Sequence, residues 1–306
     1  MDPMIEMLDA RLAGLIADDE RIDQIAGGFM FTEGPIWRGD HLLFSDIPNG
    51  RIVRWDEEPG GPVVSTFRHP SGSANGNTLD GEGRLITCEH RGRRVSVTEA
   101  DGTVRTLADN YQGKRLNSPN DVVVRSDGKI YFTDPPYGLL PATNNDIPEE
   151  LPSETGLMAV YRIDEDGSVV LLADDYHRPN GLAFSPDEKT LYVDDTARRV
   201  IRAYDVNAEG NISNDRVLFS FMGDTDFHGP DGMKVDVEGN IWTTGPGSVW
   251  VISPEGDALG RIRPPEHAAN LAFGGADWKT MFFTAQTGVY RLSLKVAGVE
   301  GVAVGR

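Results

Sequence analysis

The sequence predicts an all-β fold, a six-bladed β-propeller with a short N-terminal helix, and three observations carry this prediction. A short β-rich run that ends in small polar residues occurs six times along the chain. The runs recur at about the length of one four-stranded propeller blade. Asp-Gly and Glu-Gly turn pairs interrupt stretches of alternating apolar and polar residues, a pattern typical of consecutive β-hairpins.

The six runs can be aligned on one large apolar residue each. These anchor residues are Phe44, Ile86, Phe132, Tyr192, Trp242 and Phe283. They lie 42, 46, 60, 50 and 41 residues apart. The longest interval contains a polar, proline-rich insertion at 141–154, which we expect to form a loop on one face. Six units account for most of residues 25–300, so the sequence predicts one propeller domain over residues 1–306.

The first twenty residues differ from the repeats. Ile5, Leu8, Leu12 and Leu15 have the spacing of an apolar helix face, which predicts a short amphipathic helix packed outside the propeller. This segment contains six acidic residues, one arginine and no continuous apolar run. We therefore expect neither a signal peptide nor a membrane anchor here.

The bulk composition excludes several classes of partner. The formal net charge is −19, from 48 acidic and 29 basic residues, so the surface should repel nucleic acids and anionic membranes. Cys88 is the only cysteine, which excludes an intramolecular disulfide and a multi-cysteine zinc or iron–sulfur site. A single free thiol suits a reducing compartment, and we expect a cytoplasmic protein. The oligomeric state is left open.

A second repeated segment carries the chemistry. Eleven to thirteen residues before each anchor, one polar residue occupies the same place in every repeat. These six positions, which we name the axial ring, are Glu33, Asn75, Asn120, Asn180, Asp231 and Asn270. The first strand of a blade lines the central channel of a propeller, so equivalent side chains should converge on the axis.

The composition of the axial ring points to a metal ion. Without a cation, Glu33 and Asp231 would repel each other and raise each other's pKa. Carboxylate and amide oxygens suit a hard divalent cation, and we expect one Ca²⁺, with Mg²⁺, Mn²⁺ or Zn²⁺ as alternatives. We expect Glu33, Asn180 and Asp231 as direct ligands, with Asn120 a fourth ligand or a substrate contact. The other reading is that the Asn-Gly and Asp-Gly pairs are only turns. Glu33 is no turn former, and six positions in register favour the metal.

Other polar residues fall near the expected mouth of the channel. His177, His228 and His267 each precede an axial-ring residue by three positions, so each could relay protons, bind a substrate hydroxyl or only cap a loop. His228 is our catalytic candidate among them. Asp134 and Asp195, at the ends of second strands, are expected to close turns rather than to support a metal site.

Longer strings show a family resemblance. Among them are FTEGPIW, SGSANGNTLD, ITCEHRGRRV, GKRLNSPNDVVV, YFTDPPYG, RPNGLAFSPDEKTLYV and GPDGMKVD. Their order over nearly the whole chain resembles the senescence marker protein/gluconolactonase/luciferin-regenerating enzyme family of six-bladed propellers, and most of all its bacterial gluconolactonases. The resemblance implies a divalent metal held by Glu33, Asn180 and Asp231, with Asn120 near metal and substrate. It also implies that Asp231 is the general base.

One position departs from this pattern. Some animal members have an arginine two residues before the asparagine that matches Asn120, where this chain has Ser118. Lys114 or Arg115 could take over its contact with the substrate.

The expected function is therefore metal-dependent hydrolysis of a sugar lactone, in which the metal polarises the carbonyl and Asp231 activates water. Two alternatives remain: hydrolysis of organophosphates or aryl esters at the same site, and a non-catalytic scaffold. A scaffold would not need carboxylates aimed into its channel. A pocket walled by Arg91, Asn117 and Lys114 would suit a polyhydroxylated ring, and an apolar one an aryl ester.

Overall fold

A computed structural model describes residues 4–17, 21–141, 150–224, 226 and 228–301, which form an all-β structure. Two strands precede the repeats, β1 (Ile5–Met7) and β2 (Ile22–Gly27), with a 3-10 turn between them at Ala10–Gly14. Most of the predicted insertion, residues 142–149, lies outside the described residues.

Six antiparallel sheets follow in chain order, and each forms one blade. The first contains β3 (Thr32–Trp37), β4 (His41–Asp46), β5 (Arg51–Glu58) and β6 (Gly61–Arg68). The second contains β7 (Ala74–Leu79), β8 (Leu85–Glu89), β9 (Arg94–Thr98) and β10 (Val104–Ala108). A small hairpin follows, made of β11 (Asn110–Tyr111) and β12 (Lys114–Arg115).

The third blade contains β13 (Val122–Val124), β14 (Ile130–Asp134), β15 (Ala159–Ile163) and β16 (Val169–Ala173), with a second 3-10 turn at Tyr137–Leu139. The fourth contains β17 (Pro179–Phe184), β18 (Thr190–Asp195), β19 (Val200–Val206) and β20 (Ile212–Ser220). The fifth contains β21 (Met233–Val235), β22 (Ile241–Gly245), β23 (Ser248–Ile252) and β24 (Ala258–Ile262). The sixth contains β25 (Ala268–Gly274), β26 (Thr280–Ala285) and β27 (Gly288–Ser293).

The two N-terminal strands complete the last two blades. β2 pairs with β27 and becomes the fourth strand of the sixth blade, whereas β1 pairs with β24 as a fifth strand of the fifth blade. Pairing from the other end of the chain covers two sheet edges whose backbone groups would otherwise be unpaired. The predicted six-bladed propeller is confirmed.

The predicted N-terminal helix is wrong, because only the short 3-10 turn is helical. Ile5 lies in a strand opposite Ile262, and Asp9 begins the turn by accepting a hydrogen bond from the Arg11 N–H at 2.8 Å. A strand satisfies the backbone groups of the open edge of β24, whereas a single helical turn leaves most of its own unpaired. Leu12 and Leu15 still bury their side chains against the fifth and sixth blades, and their apolar spacing reflects that contact.

The anchor residues form the core. All six lie on the second strand of their blade and are at most 5 % exposed. The first and last blades also meet through Trp37 and Phe282, whose rings stack with centroids 5.4 Å apart. The two helical segments among the described residues are turns of five and three residues, far too short to span a membrane.

Candidate functional site

The axial ring is present as a hydrogen-bonded set of side chains around the channel. Five of its members are at most 5 % exposed, and only Asp231 is partly open. The Asn75 amide donates to Asn120 Oδ1 at 2.6 Å, and the Asn120 amide donates to Asn180 Oδ1. Asn180 in turn stabilises the carboxylate of Asp231 by a side-chain hydrogen bond.

The remaining two members join across the point where the propeller closes. Asn270 Nδ2 donates to Glu33 Oε2 at 2.9 Å, although 237 positions separate these residues in the sequence. The structure therefore brings together the residues that the repeat alignment singled out.

Backbone irregularity explains why these side chains point inward. In four blades the register between the first and second strands shifts at the axial-ring residue or directly after it. The shifts lie between Glu33 and Ile36, Ala74 and Asn77, Pro179 and Leu182, and Ala268 and Asn270. Such bulges re-aim a side chain, and they are common beside binding sites.

The glycines after the axial-ring residues are required by packing between blades. A Cβ on Gly34 would lie 1.9 Å from the Asn75 carbonyl oxygen, and one on Gly181 would lie 2.0 Å from the Asp231 carbonyl oxygen. A Cβ on Gly232 would lie 2.1 Å from the Asn270 side chain, and one on Gly76 would lie 2.6 Å from the Asn120 carbonyl oxygen. The Asn-Gly and Asp-Gly pairs therefore allow neighbouring ring residues to approach each other, and the interpretation of these pairs as ordinary turns is not needed.

The carboxylates of the axial ring are electrostatically strained in the absence of a cation. Burial, and next the charge of Asp231, raises the pKa of Glu33 well above its ordinary value. Burial, and next the charge of Asp121, raises the pKa of Asp231 to about 7, while the Asn180 hydrogen bond lowers it.

These residues fit a divalent cation, since buried carboxylate and amide oxygens surround one channel and a positive charge would relieve the repulsion. Across the described residues no three His, Cys, Asp or Glu side chains form a ready metal-binding group, so the fit depends on the amide oxygens.

His90 and Tyr137 border the axial ring, and our sequence analysis did not identify them. His90 Nε2 lies 2.9 Å from Asn120 Oδ1, and burial lowers the pKa of this histidine to about 4, which keeps it neutral. Burial and then the charge of Asp231 raise the pKa of the Tyr137 phenol. Both residues lie in the strings that carried the family resemblance, ITCEHRGRRV and YFTDPPYG. Neither recurs from blade to blade, so the repeat alignment gave no signal.

The predicted mouth histidines divide into a pair and a single residue. The rings of His228 and His267 stack with centroids 3.7 Å apart, and His228 Nδ1 lies 2.6 Å from Asp226 Oδ1. Burial and the neighbouring His228 lower the pKa of His267 to about 4. His177 is exposed. The catalytic role of His228 stays a prediction.

The predicted substrate contacts lie in different settings. Asn117 is fully buried, and its amide donates to the Leu157 carbonyl at 2.6 Å and accepts from Ser153 Oγ at 2.6 Å, so it holds two loops together. Lys114 and Arg115 are exposed on β12. Arg91 is exposed after β8. The side chain of Asn117 is occupied by these contacts, and the roles of all four in substrate binding stay predictions.

Asp134 and Asp195 close loops, as expected. Asp134 accepts backbone hydrogen bonds from Asn117 and Ser118, each at 2.8 Å. Asp195 accepts the His177 N–H at 2.8 Å and the Arg178 N–H at 3.2 Å. In both cases the carboxylate at the end of a second strand holds the chain that leads into an axial-ring residue.

Comparison with known proteins agrees with this architecture. Residues 31–287 match the family described as SMP-30/Gluconolactonase/LRE-like region. A gluconolactonase of Zymomonas mobilis is 33% identical over 318 aligned positions, covering 96% of this chain and 87% of that protein. The pentonolactonase XacC of Haloferax volcanii is 30% identical, covering 84% of this chain and 81% of its own. The structure of the gluconolactonase XC5397 of Xanthomonas campestris superposes with a TM-score of 0.86 at 36% identity, over 96% of this chain and 95% of that one.

Proposed function

The chain belongs to the SMP-30/gluconolactonase/LRE-like family, and on that premise we propose that it is a metal-dependent hydrolase that opens sugar lactones. The observation that carries the proposal is the axial ring itself. Two buried or partly buried carboxylates and four amides surround one channel, a donor set that suits a divalent cation and has no evident use in a scaffold. Relatives of similar length that are named gluconolactonase and pentonolactonase support the substrate class.

The two carboxylates are suited to different tasks. Glu33 is 2 % exposed, and its Oε2 already accepts hydrogen bonds from Asn270 and the Gly34 N–H, so it is placed to be a fixed ligand. Asp231 is the one member of the axial ring that is partly open, so water and a lactone can reach it. We therefore assign ligand roles to Glu33, Asn180 and Asp231, and the general-base role to Asp231 alone.

Hydrolysis then needs three contributions. A divalent cation, when bound, supplies Lewis-acid polarisation of the lactone carbonyl. Asp231 takes the proton of the attacking water and returns it to the departing ring oxygen. Neutral His90, within hydrogen-bond distance of Asn120, holds the amide of that residue toward the channel.

The preference for a sugar over an aryl ester rests on the polarity of the groups around Asp231. Burial and then the negative charge of Asp231 raise the pKa of the Tyr137 phenol. The Arg178 guanidinium lies 5.6 Å from the centroid of the Tyr137 ring. Hydroxyl, guanidinium and imidazole groups can donate to the hydroxyls of a sugar ring, whereas an aryl ester would leave them without partners.

A pH-indicator assay tests the proposal. Chelator-treated protein and protein resupplied with CaCl₂, MgCl₂ or MnCl₂ are assayed against aldonolactones of five- and six-membered ring size and against paraoxon. We expect lactone opening that is lost on chelation and restored by a divalent cation. Turnover of paraoxon alone would refute the sugar-lactone assignment.

Two variants test whether Asp231 is the general base while the fold is left intact. Asp231→Asn preserves shape but cannot accept a proton, so we expect kcat/KM to fall by about 10² to 10⁴. Asp166→Asn, in an exposed hairpin turn of the third blade, is the matched control and should keep wild-type activity. Asp231→Asn with near-normal turnover and an unchanged melting temperature would remove Asp231 from the role of base.

A further inference from the structure

Thr196 directly follows the second strand of the fourth blade, as His90 follows that of the second. The Thr196 N–H donates to the Arg178 carbonyl at 3.0 Å. In the same way the His90 N–H donates to the Ser73 carbonyl at 3.0 Å. Both carbonyls lie two positions before the axial-ring residue of the same blade. The backbone therefore holds the side chain of Thr196, like that of His90, beside the axial-ring asparagine of its own blade.

The hydroxyl of Thr196 determines which way the Asn180 amide faces. The carbonyl oxygen of Pro230 can only accept a hydrogen bond, so Thr196 Oγ1, 2.8 Å away, donates to it. A hydroxyl has one hydrogen, and Thr196 must therefore accept from Asn180 Nδ2, which lies 3.0 Å from it. Asn180 Oδ1 is left on the other side of the amide, where it accepts a hydrogen bond from the Asn120 amide. The oxygen of Asn180 thus faces its neighbour in the axial ring.

The same hydroxyl also holds the backbone that leads into Asp231. Its acceptor, Pro230, is the residue directly before Asp231. A Cβ on Gly229 would lie 2.1 Å from the Thr196 carbonyl oxygen, so this backbone runs in close contact with Thr196. One hydroxyl therefore links two of the proposed metal ligands, Asn180 of the fourth blade and Asp231 at the start of the fifth.

The backbone link alone does not need a hydroxyl at this position. In the first blade the equivalent residue is Ile47, whose N–H donates to the Phe31 carbonyl at 3.1 Å. Ile47 has no polar side-chain atom, so the loop closes in the same way around an apolar side chain. The two side-chain hydrogen bonds of Thr196 are therefore additional to loop closure, and what they fix is the position of Asn180 and Asp231.

We propose that Thr196 is a positioning residue for the divalent cation, because its hydroxyl keeps the oxygen of Asn180, rather than the nitrogen, within the axial ring. An amide nitrogen carries two hydrogens and only donates, so a reversed Asn180 amide would remove one oxygen ligand. Residues that orient metal ligands typically change the metal affinity by about 10- to 100-fold when they are replaced. The inference rests on the proposed function in one respect, since it takes Asn180 and Asp231 as metal ligands.

Calcium affinity tests the proposal without any lactone. Chelator-treated protein is titrated with CaCl₂ in a calorimeter. Thr196→Val keeps the shape of the side chain but has no hydroxyl, so we expect the dissociation constant for calcium to rise by about 10- to 100-fold. Thr196→Ser keeps the hydroxyl and should bind calcium like the wild type. Thr196→Ala removes the same hydroxyl without a new methyl group and repeats the measurement if Thr196→Val does not fold.

A second substitution tests whether the effect passes through the amide. Asn180→Asp has two equivalent carboxylate oxygens, so the orientation of this side chain no longer matters. Adding Thr196→Val to Asn180→Asp should therefore weaken calcium binding far less than Thr196→Val does alone, a coupling that a double-mutant cycle measures.

Thr98→Val is the matched control for the loss of a buried hydroxyl. Thr98 lies in the third strand of the second blade, and its Oγ1 accepts a hydrogen bond from Arg68 Nη1 at 3.1 Å. This variant should lower the melting temperature, because the Arg68 donor loses its acceptor, and should leave the calcium affinity unchanged.

Three results would overturn the role of Thr196 and leave the proposed function standing. They are wild-type calcium affinity in Thr196→Val, equal loss of affinity in Thr196→Ser and Thr196→Val, and an undiminished effect of Thr196→Val in the Asn180→Asp protein. Wild-type protein that binds calcium but opens no lactone would remove the proposed function and leave the role of Thr196 intact. Wild-type protein that binds no divalent cation would overturn both.

Discussion

Removal of divalent cations should make the stability of this protein depend steeply on pH. In the chelated protein Asp231 has a pKa of about 7 in the folded state, against an ordinary value of 3.8. Because the folded-state pKa is raised, the contribution of this group to stability is fully present below pH 4 and is lost as the pH rises through 7. At 1.36 kcal/mol per pKa unit the loss amounts to about 4 kcal/mol from Asp231 alone.

That free energy corresponds to an easily measured shift. A domain of this length has an unfolding entropy of roughly 0.6 kcal/mol per degree, so about 4 kcal/mol lowers the melting temperature by about 6 °C. Roughly two fifths of this loss falls between pH 5.5 and pH 7. Glu33, whose pKa is also raised, acts in the same direction. With calcium bound, Asp231 and Glu33 are ionised in the folded state as well, and their contribution to the pH dependence should disappear, whereas the buried Asp134, whose pKa is also raised to about 7, keeps its own.

Differential scanning calorimetry of chelated protein from pH 5.5 to 8 measures the effect, with saturating CaCl₂ as the reference. Asp231→Asn should make the profile of the chelated protein less steep, because the amide does not titrate while Glu33 still does. Asp166→Asn, whose carboxyl is exposed and has a lowered pKa, should reproduce the wild-type slope. The reasoning would be refuted by a flat wild-type profile without metal, or by an Asp231→Asn profile as steep as that of wild type.

Two further substitutions test the architecture around the site. Gly181→Ala should lower the stability by about 3 kcal/mol and the melting temperature by about 5 °C, since its Cβ would meet the Asp231 carbonyl at 2.0 Å. Gly14→Ala, where no atom lies within 4 Å, is its control, and equal melting temperatures for the two variants would contradict the close approach of the blades. Leu12→Ala should cost about 2–5 kcal/mol in thermal unfolding, because this side chain is fully buried against the fifth and sixth blades. Leu8→Ala, at a side chain that is 45% exposed, should change stability by less than about 0.5 kcal/mol, and a similar result for Leu12→Ala would show that the N-terminal segment does not pack as described.

The axial ring could be predicted because it is a repeated feature. Each blade is built from the same sequence pattern, so Glu33 and Asp231 could be recognised by alignment although they lie far apart in the chain. His90 and Tyr137 were missed for the opposite reason. Neither residue recurs from blade to blade, and a search for recurring residues passes over such positions.

The N-terminal segment shows a different limit. The spacing of Ile5, Leu12 and Leu15 indicated correctly that apolar side chains face the propeller. Helical periodicity was nevertheless the wrong interpretation for Ile5, because the open edge of β24 offers a strand partner. Ile5 pairs with Ile262, 257 positions away, and a backbone partner so distant leaves no signal in a local pattern.

The sequence by itself therefore determined the number of blades, the second-strand core and the identity of the axial-ring residues, since all three follow from a local pattern that recurs with each blade. Only the tertiary structure decided how the chain closes on itself, which polar groups are buried without partners, and that His90 and Tyr137 lie beside Asn120 and Asp231. The physical reason is that burial and charge at the axis are collective properties. They arise when six blades meet, and no single blade contains them.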